Sequence, residues 1–249
     1  MSKPHAGKVA LITGGSSGIG QAIACRLARD GARVAVADVA DATETLEAVR
    51  QSGGEAFAAR CDISDPKSVA DFASATGRHF GESPRILVHS AAVQFHRPFD
   101  ELSFEDWRRT QAVNQDSMFH LLKAVLPGMK TAAWGRVIVI ASSTFYICTS
   151  GMTHYVTSKG ALIGMVHGLA GEVGAFGITV NAVAPGLTRT PKAVADVPEA
   201  YFQHVTKLQA IPRNGTAADQ SGVVSFVASE DAAFITGQTI LADGGQGRT

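Results

Sequence analysis

The chain has 249 residues, 45% of them hydrophobic and 18% charged, a globular balance at a length that α/β folds often use as one unit. Twenty-two basic and 22 acidic residues give a formal net charge of zero, which excludes the electrostatic footprint of a nucleic-acid or basic membrane-surface binder. Three cysteines, at 25, 61 and 148, have no metal-ligand spacing and read as free thiols of a reducing cytoplasm; no stretch nears the roughly 18 apolar residues of a membrane span.

The first apolar run, Val9 to Ile12, is short and bounded by glycines, as a buried strand is. A helical pattern follows from Gly18 to Asp30, with Ile19, Ile23 and Leu27 on one face and Gly31 at its C-terminal end. Arg33 to Asp38 is again strand-like. The alternation then repeats: helix over Asp41 to Ser52, strand over Ala56 to Cys61, and a helix capped by Asp65-Pro66. Ile86 to Ser90 reads as strand, Ser103 to Lys130 as mostly helix, and Val137 to Ser142 as strand. Helix follows over Gly151 to Gly174 and strand over Ile178 to Ala184. Pro185 to Asn214 reads as irregular. A helix near Ala217 to Ser229 and a strand near Gln238 to Ala242 close the chain. Alternating strands and helices predict a parallel sheet covered on both faces. With no linker or repeat, the expectation is one domain over residues 1–249: a doubly wound sheet of about seven strands.

Between the first strand and first helix lies T-G-G-S-S-G-I-G, Thr13 to Gly20. Glycines at such a turn let the backbone approach a pyrophosphate, and the helix N-terminus favours negative charge. Gly14 is assigned to the turn, Gly18 to phosphate approach and Gly20 to helix–strand packing; Ser17 and Ile19 complete the segment. A ligand-free glycine turn is the alternative. Asp38 ends the second strand, 18 residues past Gly20. A carboxylate there can accept from both adenosine ribose hydroxyls and would repel a 2′-phosphate. Val39, Ser16 and Ser17 offer no cation to such a phosphate, so NAD is expected over NADP. The alternative is that Asp38 only caps the next turn.

Tyr155 and Lys159 are four residues apart on a predicted helix and face the same way. A free phenol, with a pKa of about 10, is a poor base at neutral pH. A neighbouring ammonium and a nicotinamide cation are expected to lower it, so that it takes a proton from an alcohol as hydride leaves the carbon. Alone, Y-x-x-x-K is also common on solvated helix faces.

Taken together, T-G-G-S-S-G-I-G, C-D-I-S at Asp62, V-N at Asn114, Ser142, Y-V-T-S-K, V-N-A-V-A-P-G and I-T-G-Q-T-I-L-A-D-G-G resemble the short-chain dehydrogenase/reductase family, single-domain type, from about Lys8 to Gly245. The resemblance implies a Rossmann-type fold and an NAD-dependent oxidoreductase. It implies that Ser142, 13 residues before Tyr155, hydrogen-bonds the substrate oxygen, with Ser143 as the neighbouring alternative. Asn114 matches the residue that holds a water for proton relay, and Lys159 the residue that also holds the nicotinamide ribose. Asp62 and Ile63 match the pair beside the adenine, Ala91 a position along the cofactor, and Pro185, Gly186, Leu187 and Thr190 the turn at the carboxamide. One motif departs: His89-Ser90-Ala91-Ala92 stands where the family has N-N-A-G. His89 is expected to be a hydrogen-bonded sheet residue.

The substrate is expected in loops near 94–98, 144–152 and 187–212, with Phe95, Thr144, Tyr146, Met152 and Tyr201 among its lining. That lining suits a hydrophobic alcohol of modest size. P-F-D-E-L-S-F-E-D-W, T-H-Y-V-T-S-K and Q-A-I-P-R are similar to the (S)-1-phenylethanol dehydrogenase branch of the family. A pyridoxal-type alcohol dehydrogenase, a 3-oxoacyl reductase and a non-catalytic NAD-binding sensor are the alternatives. The resemblance further implies a homotetramer. No nucleic acid, membrane or metal is expected as partner.

Overall fold

The computed structural model describes residues 3–147 and 149–247. Cys148, within the expected 144–152 substrate loop, lies outside the described residues. Seven parallel strands form the central sheet: β1 Val9–Thr13, β2 Arg33–Asp38, β3 Ala56–Arg60, β4 Ile86–His89, β5 Gly135–Ile140, β6 Ile178–Pro185, and the last strand Thr239–Ala242. Between them run α1 Gly18–Arg29, α2 Thr43–Gln51, α3 Pro66–Phe80, α4 Phe104–Gln111, α5 Ser117–Thr131, α6 Thr144–Ile147 and α7 Thr153–Val173. Most expected boundaries agree within two residues. The expected long helix over Ser103 to Lys130 is interrupted by a π-helical turn at Ala112–Asp116.

The stretch from Pro185 to Asn214 is not irregular. It holds β7 Thr188–Arg189, α8 Pro191–Asp196 and α9 Glu199–Leu208, and β7 pairs in parallel with β8 Gly215–Thr216. Both helices are short and carry proline in or before the first turn; Thr190 caps α8 by accepting from the Ala193 N–H. Helix α10, Ala217–Val227, opens on a capping box of Thr216 and Asp219 and leads to the last strand, β9.

Side chains alternate across each strand, and the core divides accordingly. Val9, Leu11, Leu87, Val137, Val139 and Val180 point to one face, where Leu121, Val125, Leu162 and Val166 of α5 and α7 cover them. Ala10, Ile12, Val34, Val36, Ile86, Val88 and Ile138 point to the other, beneath Ile23, Leu27 and Val224 of α1 and α10. Apolar residues on both faces of the strands demand two helical layers.

The strand order is β3-β2-β1-β4-β5-β6-β9. The chain builds outward from β1 through β2 to β3, then crosses back to lay β4 on the other side of β1. The order therefore reverses between β1 and β4, and the crevice at their carboxyl ends is where an open α/β sheet takes its ligand. The Gly-rich turn after β1, the His89–Ala92 segment after β4 and Ser142 after β5 all emerge there.

Candidate active site

The turn after β1 is shaped by contacts that leave no room for side chains. Gly14 has φ +68°, and a Cβ on it would lie 2.7 Å from Ala91 Cα. A Cβ on Gly20 would lie 2.1 Å from the Gly14 carbonyl oxygen. Gly20 thus lets α1 close onto the turn after β1, where helix–strand packing was expected of it. Ser17 is the exposed N-cap of α1 and makes no side-chain cap hydrogen bond, so it leaves the N–H groups of the first turn to another acceptor. Ile19 is half-buried against the α1 side of the core. Thr190, from the segment after β6, folds over this turn: its side chain would lie 3.4 Å from a Cβ on Gly18.

Asp38 at the end of β2 faces the same loop. Its Oδ2 accepts from Ser16 N–H at 3.0 Å and from Ser16 Oγ at 2.6 Å, and its Oδ1 accepts from Ala40 N–H at 3.0 Å. The carboxylate both caps the following turn and fixes the Gly-rich loop. Val39 beside it is 57% exposed and carries no charge. Asp62 Oδ1 accepts from the N–H and hydroxyl of Ser64, which hold its carboxyl below the ordinary range. The Ile63 side chain is in the core, so only its main chain is left for a ligand.

Ser142, Tyr155 and Lys159 converge beyond the end of β5, and all three are buried. Lys159 Nζ donates to the Ile140 carbonyl at 2.7 Å and lies 5.5 Å from the centroid of the Tyr155 ring. An ammonium carries three N–H groups, so two remain for other acceptors. Burial pushes Lys159 down to about 8. Burial also pushes the Tyr155 phenol up to about 12, against the smaller opposing effect of the Ser142 hydroxyl beside it. The expected lowering of the phenol is therefore reversed in the protein alone. The i, i+4 spacing reveals the neighbouring charge but not the depth of burial, and burial dominates. Ser143 donates its N–H to the Pro185 carbonyl, while Ser142 is the serine that meets Tyr155.

His89 braces the crevice. Thr13 Oγ1 accepts from the N–H groups of Ser90 and Ala91, both at 3.1 Å, so its proton goes to His89 Nδ1, also at 3.1 Å. The ring therefore carries hydrogen on Nε2, aimed at the Asn114 carbonyl at 3.1 Å and at Ser117 Oγ at 3.2 Å. Ser117 gives its own proton to the Val113 carbonyl at 2.6 Å. Burial above all, with the charge of Lys159, pushes the imidazole down to about 4, which keeps it neutral. The π turn frees backbone groups that a regular helix would pair, and Asn114 lies within it. Its Oδ1 accepts from Val93 N–H at 2.8 Å, and its Nδ2 donates to the Val93 carbonyl and Ser158 Oγ, both at 3.0 Å.

The residues expected to line the substrate are dispersed. Thr144 turns its hydroxyl onto Ser142 Oγ, 2.8 Å away. Phe95 stacks on His154 with ring centroids 4.1 Å apart. Tyr146 packs partly into the core and meets Phe145 edge-on at 5.2 Å. Met152 is buried at the start of α7. Tyr201, on α9, is 46% exposed with His204 as its ring neighbour. Of the five, Thr144 is the one the structure joins to the Ser142–Tyr155 group. Sequence reasoning missed Ser16, Ser158 and the Ile140 carbonyl. Ser158 was visible inside Y-V-T-S-K, whereas a backbone carbonyl leaves no sequence signal.

Comparison with known proteins gives the same assignment over nearly the whole chain. A family model described as enoyl-(acyl carrier protein) reductase matches residues 14–246. The chain is 38% identical to the 3-oxoacyl-[acyl-carrier-protein] reductase FabG of Pseudomonas aeruginosa, across 96% of this chain and 97% of that one. It is 34% identical to D-beta-hydroxybutyrate dehydrogenase of Rhizobium meliloti, across 96% and 98% of the two chains. The solved structure of a putative short-chain alcohol dehydrogenase from Sinorhizobium meliloti superposes with a TM-score of 0.93 at 33% identity, covering 99% of this chain and 98% of that one. With the glycine turn, the reversed strand order and the Ser142–Tyr155–Lys159 cluster on one crevice, the chain belongs to the short-chain dehydrogenase/reductase family.

Proposed function

We propose that the protein is an NAD-dependent alcohol dehydrogenase/ketone reductase acting on a hydrophobic secondary alcohol, with aryl alcohols such as 1-phenylethanol first in line. The observation that carries this reading is the burial of Ser142, Tyr155 and Lys159 together at the mouth of the sheet, beside a turn shaped for a dinucleotide. The residues fit a nicotinamide cofactor. The first turn of α1 and Asp38 would hold the adenosine and phosphates; Ala91, Lys159 and Pro185 to Thr190 would hold the nicotinamide end. When bound, the nicotinamide supplies the hydride chemistry.

The chain's own residues manage the oxygen and its proton. In ketone reduction, the phenol at about 12 is protonated and gives its proton to the developing alkoxide. In alcohol oxidation the phenol must be ionised, which positive charge beside it favours; Lys159 contributes part of that charge. Ser142 donates to the same oxygen in either direction. His89 and Asn114 brace the wall of the crevice through their hydrogen bonds to β1, Val93 and Ser158.

Asp38 supports NAD, because a second anion at a 2′-phosphate would meet its carboxylate. The hydrophobic substrate is supported by the ion pairing of the two arginines that flank the cleft: Arg97 with Asp106 at 3.7 Å, and Arg189 with Glu199 at 2.5 Å. A 3-oxoacyl reductase is the second reading, favoured by the 38% identity to that enzyme. A panel pairing aryl ketones with 3-oxoacyl thioesters, followed through NADH absorbance, separates the two.

Replacing Tyr155 with Phe should lower kcat by about 10³-fold or more while leaving the cofactor Kd unchanged, measured by steady-state kinetics and fluorescence titration; near-normal turnover in that variant contradicts the mechanism. The wild-type kcat/KM should favour NAD over NADP by at least about 100-fold, and Asp38→Ala with Val39→Arg should reverse the preference; a wild type that prefers NADP refutes the cofactor assignment. Lys159 also links function to stability. Its folded pKa of about 8 lies below its ordinary value of 10.5, so below pH 8 the buried ammonium destabilises the fold, and the penalty lifts as pH rises to 10.5. Lys159→Met should therefore be more stable than wild type at pH 7, by up to about 3 kcal/mol, with the gain shrinking above pH 8 in urea melts; a gain independent of pH contradicts this account of the lysine.

A further inference from the structure

We infer that Thr144 is a positioning residue that makes Ser142 an obligate hydrogen-bond donor to the reacting oxygen. This rests on the oxidoreductase reading above and extends it to the polarity of one hydroxyl. A serine hydroxyl has one proton and two acceptor positions, and can turn either toward a ligand. For an alcohol becoming a ketone, or the reverse, only the donating orientation stabilises charge on the oxygen. Something must therefore occupy the lone pairs of Ser142.

Thr144 supplies both partners. Its backbone N–H donates to Ser142 Oγ at 3.2 Å, and its hydroxyl donates to the same atom at 2.8 Å. The N–H cannot reverse its role. With both acceptor positions filled from one side, the Ser142 proton is left for the other side, where Tyr155 stands. The Tyr155 phenol is the side-chain neighbour of Ser142 on that side. The surrounding backbone fixes the geometry. Ser143 N–H is held by the Pro185 carbonyl at 2.9 Å, and Phe145 N–H by the Ser142 carbonyl at 3.3 Å, so residues 142–145 form a closed turn. Thr144 was expected to face the substrate; its hydroxyl is instead spent on Ser142.

Thr144→Val keeps the shape and the N–H but removes the hydroxyl, freeing one acceptor position on Ser142. Thr144→Ser keeps the hydroxyl and removes only a methyl group. In Thr144→Val, kcat should fall about 10-fold, less than the roughly 100-fold loss of a donor itself, with KM and cofactor Kd little changed. The pH at which alcohol oxidation gains its base should move upward, and Thr144→Ser should restore both values. A high-resolution crystal structure of Thr144→Val should show Ser142 Oγ in more than one rotamer, and that of Thr144→Ser a single one. A kcat within about two-fold of wild type, an unmoved pH profile, or a single native Ser142 rotamer in Thr144→Val overturns the inference. If the wild type oxidises no alcohol and reduces no ketone, the proposed function falls, and the Ser142 rotamers still decide the role of Thr144.

Discussion

The site depends on one buried hydrogen bond, from the Lys159 ammonium to the Ile140 carbonyl at 2.7 Å. An ammonium inside a sheet protein is costly to desolvate, and one main-chain acceptor offsets only part of that cost. The strain shows in a lysine pushed down to about 8 and in a phenol above it pushed up to about 12. Both groups are held away from their comfortable protonation equilibria. In the proposed reaction, positive charge beside the phenol, or a ligand oxygen accepting from the ammonium, would relieve one of them. Ligand binding and proton affinity would then be coupled without any moving part.

That hydrogen bond needs a rigid frame, and the frame is the reversal of strand order between β1 and β4. Thr13 at the end of β1, His89 at the end of β4 and Asn114 in the π turn form one continuous network. A neutral imidazole suits this position because it accepts at one nitrogen and donates at the other, spanning two elements at once. Asp38 extends the frame on the far side by fixing the Gly-rich loop through Ser16. The carboxyl ends of β1, β2 and β4 and the Gly-rich turn are therefore tied together by side-chain hydrogen bonds.

The sheet was legible in the sequence because its strands are apolar runs on both faces, bounded by glycine and polar turns. Arg33–Asp38 is recovered to the residue. The stretch after Pro185 was not, because α8 and α9 have 6 and 10 residues and too few turns to show a period; the Thr190-Pro191 start signal was present and unused. The pairing of Tyr155 with Lys159 was expected from the i, i+4 spacing and Ser142 from the family resemblance, and the structure brings the three together. The direction of the phenol's shift was not legible, since burial is a property of the packed layers. The packing partners of the expected cleft residues were not legible for a related reason. An aromatic residue in a loop takes whatever partner the fold brings, as Phe95 takes His154.

In the proposed mechanism, charge beside the Tyr155 phenol is thus what converts a buried, protonated group into a base. Titrating that phenol by ultraviolet absorbance, with Tyr155→Phe subtracted, in the protein alone and with oxidised NAD bound, tests this most directly. The expected result is a phenol near 12 in the free protein that falls by several units when the cation is bound. A phenol that titrates near 12 in both states would contradict it.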